Sequence, residues 1–464
     1  MKFQVSPMLV RQYATVIIVN LSVFTTGMSI AWSSPMLVKL SDTASTPLSR
    51  PVTENEGSWI VSLGYLISIA TNIMGSFLID HIGRKLSFLA CALPKLSMSL
   101  LLIFATDVWM VILARTLMTV SDCFLFCIVP VYSAEIAIKE HRGSLGAFLQ
   151  LFSSLGVVVT LSVGPFVSYH TFSYIFVALI AATTVPLLFI PESPYFHFSK
   201  GKTDEALKTL STIRSSEAEA KLELSEYEKS TEGLVKIDKI ELLKDKTFVK
   251  ALLLTFLLFG GSQLVGYNAV TFYLQTILIS TKTKVMPEVA SLVIGLIQVV
   301  ASGSVAVFSA VLKRKQILMT SLLGIFIGMI CLGSFFQVST DGHITGFMHY
   351  LPILSLILVV FCYSAGMGSV IWPIGAELFE GPGRAFGTST ALAVCQFTIF
   401  MTSKYFPLMT SALGPSSTYW FFSVNCVIIA VLIWVFLPET KDKTFREIQT
   451  SLGKHFEDTK SNIC

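Results

Sequence analysis

Long apolar stretches separated by short polar turns dominate this chain. A helix needs roughly 20 apolar residues to cross a bilayer core about 30 Å thick. Twelve stretches approach this length, at 13–35, 59–79, 86–104, 108–132, 143–165, 170–190, 247–278, 288–311, 317–337, 349–374, 385–409 and 417–437. No small-residue cleavage site follows the first stretch, so we interpret it as a retained helix. The pattern predicts an all-α membrane protein with twelve transmembrane helices.

Residues 197–246 break this pattern because Lys and Glu crowd the segment and exclude it from lipid. We expect a cytoplasmic, charged helical linker there. It would separate an amino-terminal six-helix bundle at 1–196 from a carboxy-terminal one at 247–440, which a tail at 441–464 follows.

Basic residues in the short loops indicate the orientation, because cytoplasmic loops are enriched in Lys and Arg. With the amino terminus inside, the cytoplasmic loops carry Arg84, Lys85, Lys139, Arg142, Lys313, Arg314, Lys315 and Arg384. The outside loops then carry only Lys39, Arg50, Lys282 and Lys284. Both termini and the linker are therefore predicted to be cytoplasmic.

Matching motifs at matching places indicate an internal repeat. Glu135 precedes Arg142 by seven positions, just before the fifth apolar stretch. Glu377 precedes Arg384 by the same spacing, just before the eleventh. Pro-Glu-Ser ends the first half and Pro-Glu-Thr ends the second. We infer two pseudo-symmetric bundles of six helices.

Composition supports a lipid environment and excludes several functions. Only 13% of the residues are charged, against roughly 25% in soluble domains, and 53% are hydrophobic. A net charge of +4, with no basic stripe, does not predict nucleic-acid binding. Most of the eight Cys lie in apolar stretches without metal-ligand spacing. No nucleophile, base and orienting group occur together, so we expect neither an enzyme nor a metal or cofactor site.

The turn from Asp80 to Lys85 joins the second and third stretches. Its glycine permits a tight reversal and its basic residues obey the inside-positive bias. It is either a simple charged turn or a latch in which Asp80 and Arg84 contact a neighbouring helix in one conformation only. The counterpart at 311–315 lacks the acidic residue and the glycine, so such a latch would be lopsided.

With these motifs the chain resembles the sugar porters of the major facilitator superfamily over nearly its whole length. The matching stretches are Asp80 to Lys85, Pro130 to Glu135, Arg142-Gly143, Pro191 to Pro194, Gln263 to Tyr273, Ala376 to Phe379 and Pro438 to Lys441. The first outside loop, from Ser34 to Ile60, is most similar to the insect branch that contains facilitated trehalose transporters. The resemblance implies the superfamily fold, a plasma-membrane location, a functional monomer, and facilitated transport of a hexose or trehalose by alternating access.

Uncharged polar residues inside the apolar stretches are candidates for sugar binding. Gln and Asn can donate to and accept from sugar hydroxyls without adding a charge, and polar groups within a membrane usually mark a pathway. The candidates are Gln150, Gln263, Asn268 and Gln298. Gln263 and Asn268 lie near Gly260-Gly261, where we expect the helix to bend. The alternative role is hydrogen bonding between helices.

The resemblance also implies roles for aromatic residues. Trp372, which follows Gly366 and Gly368, corresponds to the aromatic floor on which a sugar ring stacks. A tryptophan at the membrane interface is the alternative. Phe272 and Tyr273 are similar to the family's outer gate.

Three departures from the family pattern bear on substrate and coupling. Ser262 replaces the first of two consecutive Gln, and Cys395-Gln396 stands where the family has Asn-Trp. A preference for glucose therefore does not carry over. Proton-coupled relatives place an Asp in the first helix, whereas residues 27–31 contain no acid. This favours a facilitator over a proton-coupled sugar or polyol symporter.

Two charged residues lie deep in the predicted membrane region. Lys95 is nine residues beyond Leu86, roughly 14 Å along a helix, and Asp122 is nine residues before Val131. In antiparallel helices both reach a similar depth, so we predict an ion pair. The alternative is that Asp122 is a proton-coupling acid. Arg115 matches a family position and is expected at the cavity.

Charged groups on the cytoplasmic side are candidates for a gate. Glu135, Arg142, Glu377, Arg384 and Arg84 could form pairs between the halves that close the inside while the outside is open, or could be solvated loop charges. Two further functions stay open: a non-transporting membrane sugar sensor, and a carrier of another organic solute. The predicted partners are a small sugar and the lipid bilayer, and the oligomeric state is left open.

Overall fold

The structure is a computed structural model that describes residues 7–138, 141, 145–146, 148–214, 216–231, 242–340, 346–379, 381–441, 443 and 445–453. Every regular element within these ranges is a helix. The first half contains α1 (Pro7–Ser41), α2 (Glu54–Ile82), α3 (Arg84–Ile103), α4 (Val108–Ile136), α5 (Phe148–Val163) and α6 (Tyr169–Leu187). Between the halves lie α7 (Pro194–Ser199), α8 (Thr203–Ile213) and α9 (Glu217–Thr231).

The second half contains more and shorter helices than the first. They are α10 (Lys246–Leu264), α11 (Tyr267–Phe272), α12 (Leu274–Ser280), α13 (Pro287–Val311), α14 (Arg314–Thr340), α15 (Leu351–Cys362), α16 (Gly368–Glu377), α17 (Gly381–Ala412), α18 (Pro415–Phe436) and α19 (Phe445–Ser451). In the described ranges, ten helices are long and apolar enough to cross a membrane. With the shorter apolar α5 and the 32-residue α17, they account for the twelve predicted membrane elements.

Helix α18 shows how these helices are arranged toward lipid. Phe421, Val424 and Ile428 are exposed at helical spacing, whereas Phe422 and Cys426 on the other face are buried. A helix that is apolar on every face suits a membrane span, with protein on one side and lipid tails on the other.

The seventh membrane element bends at a different glycine from the one expected. Helix α10 continues through Gly260-Gly261, and the chain breaks instead at Gly266, whose φ is 86°. Glycine adopts this left-handed conformation without strain, and a Cβ there would lie 2.6 Å from the Phe422 ring. The predicted single helix at 247–278 is therefore divided into the 19-residue α10 and the two short helices α11 and α12.

The tenth membrane element is interrupted by a π-helical turn at Tyr363–Met367. Ser321 of α14 fills the turn: its Oγ donates to the Cys362 carbonyl at 2.7 Å and accepts from the Met367 N–H at 3.0 Å. Such turns are frequent at functional sites. Here the turn precedes α16, the helix that carries Trp372.

The linker helices dock on the first half. The Gln12 amide donates to the Ile213 carbonyl at 2.9 Å, and Arg214 Nη1 donates to the Ile136 carbonyl at 2.8 Å. Arg214 also pairs with Glu223 at 2.6 Å. The helical character expected of 197–246 is present where the structure describes it, and the domain boundaries stay predictions.

Candidate functional site

A central cavity lies between the two halves and draws its wall from both. From the first half it is lined by Thr26, Ser29, Ile30, Tyr65, Arg115, Thr119, Asp122, Cys123, Phe126, Gln150, Ser153 and Val157. From the second half it is lined by Gln263, Tyr267, Asn268, Phe272, Gln298, Tyr363, Gly368, Trp372, Leu392, Cys395, Gln396 and Ile399. Amide, hydroxyl and aromatic groups converge on one space.

All five residues predicted to bind sugar line this cavity: Gln150, Gln263, Asn268, Gln298 and Trp372. They come from five separate helices of the two halves. Their role in binding stays a prediction, but their convergence agrees better with a pathway than with independent contacts between helices.

The break at Gly266 brings the Gln263 and Asn268 side chains together. The Gln263 amide nitrogen donates to Ser262 Oγ at 2.8 Å and contacts Cys395 Sγ at 3.4 Å, while the Asn268 amide nitrogen donates to Gln263 Oε1. Ser262 is fully buried and supports Gln263 from behind. The two departures from the family pattern, at Ser262 and Cys395, therefore meet at one amide.

Two pairs of stacked aromatic rings form part of the wall. Trp372 stacks on Phe126 of the first half, with ring centroids 6.3 Å apart and an interplanar angle of 10°. Phe259 packs against Trp372 in a T-shaped arrangement, with ring centroids 5.2 Å apart. Tyr267 and Tyr363 stack closely, at 3.7 Å and 8°. Trp372 thus lies in the cavity wall rather than at the membrane interface.

The predicted ion pair between Lys95 and Asp122 is present. Lys95 Nζ lies 2.5 Å from Asp122 Oδ1, and both side chains are almost completely buried. Lys95 also donates to Thr25 Oγ1 at 3.0 Å and Thr26 Oγ1 at 3.2 Å. Thr26 in turn donates to Asp122 Oδ1 at 2.8 Å. These bonds offset the cost of burying both charges.

Arg115 lies two helical turns before Asp122 on α4 and lines the cavity as expected. Its two terminal nitrogens donate to Ser29, one to Oγ and one to the carbonyl oxygen, each at 2.9 Å. The guanidinium also lies 4.7 Å from the centre of the Trp32 ring. The acid-free stretch of α1 therefore holds this arginine through neutral groups.

At one end of the cavity, contacts join the two halves. Lys404 of α17 donates to Asn55 Oδ1 at 2.7 Å and to Ser58 Oγ at 2.8 Å, both on α2. Its Nζ lies 4.0 Å from the centre of the Trp59 ring. This cluster of four residues is called the Lys404 latch. No pattern in the sequence predicts this latch, because a lysine near a helix end resembles an ordinary interfacial charge.

The two aromatic residues expected to form an outer gate lie near the Lys404 latch but differ in position. Phe272 lines the cavity and stacks on Tyr65 of the first half at 5.7 Å. Tyr273 packs behind it, with its hydroxyl donating to the Ser403 carbonyl at 3.0 Å and its ring 5.2 Å from Phe406. Of the pair, Phe272 bridges the halves.

At the opposite end, the ion pairs lie within each half. Arg84 forms a bidentate pair with Glu135 at 2.8 and 3.0 Å, and its Nη2 lies 3.2 Å from Asp80. In the second half, Arg314 Nη2 lies 3.3 Å from Glu377 Oε1. The turn at 311–315, expected to be lopsided, thus keeps its arginine pair although it lacks counterparts of both Asp80 and Gly83.

A second carboxylate supports each of these pairs. Glu192 Oε1 accepts from the backbone N–H of Arg84 at 2.8 Å, and Glu439 Oε1 accepts from that of Arg314 at 3.0 Å. No ion pair joins the two halves among the residues that the structure describes. Arg142 lies outside the described residues, as does the side chain of Arg384, so the predicted gate pairs between halves stay predictions.

Several cavity residues were missed by sequence reasoning. Tyr65, Tyr267 and Tyr363 line the cavity, but aromatic residues make up 12% of the chain and nothing distinguishes these three in the sequence. Gln396 was noted only as a departure from the family, yet it lines the cavity and its buried Oε1 has no hydrogen-bond partner in the described structure. An intramembrane amide was the signal that could have identified it.

Comparisons with known proteins agree with this architecture. The family described as "Sugar (and other) transporter" matches residues 14–452. The chain is 30% identical over 444 residues to the facilitated trehalose transporter Tret1 of Polypedilum vanderplanki, covering 95% of this chain and 88% of that protein. It is 29% identical over 438 residues to Tret1 of Culex quinquefasciatus, with coverages of 94% and 84%.

Solved structures show the same fold. The inward-open xylose transporter XylE from E. coli matches with a TM-score of 0.78 at 20% identity, covering 95% of this chain and 99% of that one. XylE bound to 6-bromo-6-deoxy-D-glucose matches with a TM-score of 0.75, also at 20% identity, covering 95% and 98%. The architecture is that of the major facilitator superfamily, and the chain belongs to the sugar transporter family.

Proposed function

We propose that this protein carries a sugar, a hexose or trehalose, down its gradient across the plasma membrane by alternating access. The observation that carries the proposal is the convergence of Gln150, Gln263, Asn268, Gln298 and Trp372 on one cavity between the halves. Amides can replace the water around sugar hydroxyls, and an aromatic face can pack against a sugar ring. The names of the Tret1 relatives support trehalose as one candidate.

The proposed cycle is a rocking of the two halves around the cavity. The Lys404 latch and the Tyr65–Phe272 stack hold one end closed. At the other end the described ion pairs stay within each half, so none of these pairs needs to break when the halves separate. We therefore interpret the structure as a state closed to the outside, with both termini in the cytoplasm.

Facilitated transport fits the charges of the cavity better than proton coupling does. Helix α1 contains no Asp or Glu, and Arg115 meets the neutral Ser29 there. Asp122 lines the cavity and keeps a proton-coupled symporter as the second candidate, although its ion pair with Lys95 gives the carboxylate a structural role that needs no proton coupling.

The test is uptake by the purified full chain in lipid vesicles. Labelled glucose and trehalose should each be offered with and without an imposed proton gradient. A facilitator gives saturable uptake that stops at equal concentrations on both sides, whatever the gradient. Accumulation above equality, driven by protons, would support the second candidate, and no uptake of either sugar would contradict the proposal.

Variants make the test specific to the cavity. Gln263→Leu removes an amide from the wall and should lower the apparent affinity at least tenfold, since buried hydrogen-bonding groups would lose their partner. Asn425→Leu is the matched control, because this amide lies on α18 outside the cavity and donates to the Leu264 carbonyl. Equal losses in both variants would mean that Gln263 acts through folding alone.

A further inference from the structure

Asp122 presents an acceptor to the cavity that the described structure leaves unused. Arg115, Thr119, Asp122 and Phe126 follow one another at helical spacing on α4, and all four line the cavity. This spacing directs the Asp122 carboxylate toward the same space as the wall amides. The residue is 5% exposed, so the carboxylate is almost enclosed by protein.

The two oxygens of this carboxylate are in different situations. Oδ1 accepts from Lys95 Nζ at 2.5 Å and from Thr26 Oγ1 at 2.8 Å. No hydrogen bond from the described part of the chain reaches Oδ2. Although Oδ2 has no partner in that part of the chain, it is not one of the polar atoms that are fully enclosed by protein and lack a hydrogen bond. The small exposed area of Asp122 therefore includes Oδ2, and because Asp122 lines the cavity, that oxygen opens into it.

Lys95 explains how a carboxylate can occupy this position. It approaches from α3, behind the wall, and does not itself line the cavity in the described structure. Its ammonium balances the charge of Asp122 through Oδ1 and leaves Oδ2 free. An ionised carboxylate accepts hydrogen bonds and cannot donate one. The cavity therefore contains an acceptor-only group beside amides that can do both.

We propose that Asp122 Oδ2 accepts a hydrogen bond from one hydroxyl of the transported sugar and selects for ligands that can donate there. This inference rests on the proposed function. A hydroxyl meets the requirement, whereas a fluorine in its place does not. Hydrogen bonds to charged groups are stronger than those between neutral groups. This contact therefore distinguishes a hydroxyl from a fluorine more sharply than a wall amide does, because the amide can also donate.

Fluorinated sugars test the contact directly. Each monofluorinated deoxy analogue of glucose and of trehalose should compete with labelled uptake of the parent sugar into vesicles. In the wild-type protein, replacing one particular hydroxyl by fluorine should raise the inhibition constant about tenfold or more. In the double variant Lys95→Met/Asp122→Leu, replacing the same hydroxyl by fluorine should change the inhibition constant by less than about threefold.

The paired variant removes both charges together, because a single change would leave the partner buried and uncompensated. Lys95→Met/Asp122→Asn is the matched comparison, since its amide oxygen still accepts and should retain part of the discrimination. Thermal unfolding of each detergent-solubilised variant checks that it folds. If the Leu variant does not fold, the Asn variant alone should show a smaller fluorine penalty than the wild type.

An identical fluorine profile in the wild-type protein and the paired variants would overturn the proposal. So would a wild-type profile with no sensitive position. If the variants instead abolished a proton-gradient effect and kept the fluorine profile, Asp122 would be a proton carrier. Absence of any wild-type sugar uptake would contradict the proposed function itself, which separates that failure from a failure of this inference.

Discussion

Replacing Lys404 by Met should release the closed end of the cavity. The ammonium contacts the Trp59 ring at 4.0 Å, an interaction that contributes about 0.5–1 kcal/mol at exposed sites. Its hydrogen bonds to Asn55 and Ser58 contribute about 0.5 kcal/mol each, at the low end of the usual range because Lys404 keeps contact with solvent. The sum is about 1.5–2 kcal/mol, which corresponds to roughly a 10- to 30-fold change in the ratio of closed to open states.

The cavity contains its own reporters of this change. Cys123 and Cys395 both line it, so a membrane-impermeant thiol reagent reaches them from outside only when that end opens. Labelling of right-side-out vesicles should be roughly 10- to 30-fold faster in Lys404→Met. Replacing both cysteines by Ala should abolish this labelling and so identify the reactive sites.

Matched variants separate the Lys404 latch from general effects of charge. Lys284→Met removes an exposed lysine from the loop after α12 and should leave the labelling rate unchanged. Trp59→Leu should accelerate labelling by a smaller factor, and the double variant with Lys404→Met should show less than the product of the two effects. An unchanged rate in Lys404→Met, or fully multiplicative effects, would refute the latch.

Three further predictions concern the predicted gate between the halves and two described features, the break at Gly266 and the Lys95–Asp122 pair. Glu377→Gln neutralises one member of the predicted cytoplasmic gate and should trap the carrier facing inward. In a binding assay, a membrane-impermeant ligand added outside should then no longer reach the cavity; normal binding of that ligand would contradict the gate. Gly266→Ala should lower the stability of the purified protein by at least about 1–2 kcal/mol, because a residue with a Cβ is strained in a left-handed backbone conformation and because the Cβ would displace Phe422. An unchanged melting temperature would show that the break in the helix can relax. Lys95→Met and Asp122→Asn should each destabilise by about 3–5 kcal/mol, and the double variant should recover most of the melting temperature; a double variant as unstable as the singles would exclude energetic coupling of the pair.

The sequence was most informative where a residue type conflicts with its surroundings. An amide or a charge in a 20-residue apolar stretch is costly, so Gln150, Gln298 and the Lys95–Asp122 pair stood out. Equal depth in antiparallel helices was enough to pair the two charges. The internal repeat of two six-helix bundles then predicted that polar residues from separate helices meet in a cavity between the halves.

The sequence was least informative where the deciding partner is remote. Gly260 and Gly266 are equally able to bend a helix, and the Phe422 ring, from another helix, marks Gly266 as the site where the chain passes closely. The partners of Lys404 are about 345 positions away in the chain, and three of the four groups in the latch are uncharged. No local pattern encodes such a contact.

The carboxylates of Glu192 and Glu439 have a consequence for how the two halves are built. Each clamps the start of a helix in its own half, at α3 and α14, next to an arginine pair that also stays in that half. Motion of one half against the other leaves these clamps intact. Each six-helix unit can therefore move as a rigid body during transport without remaking these bonds.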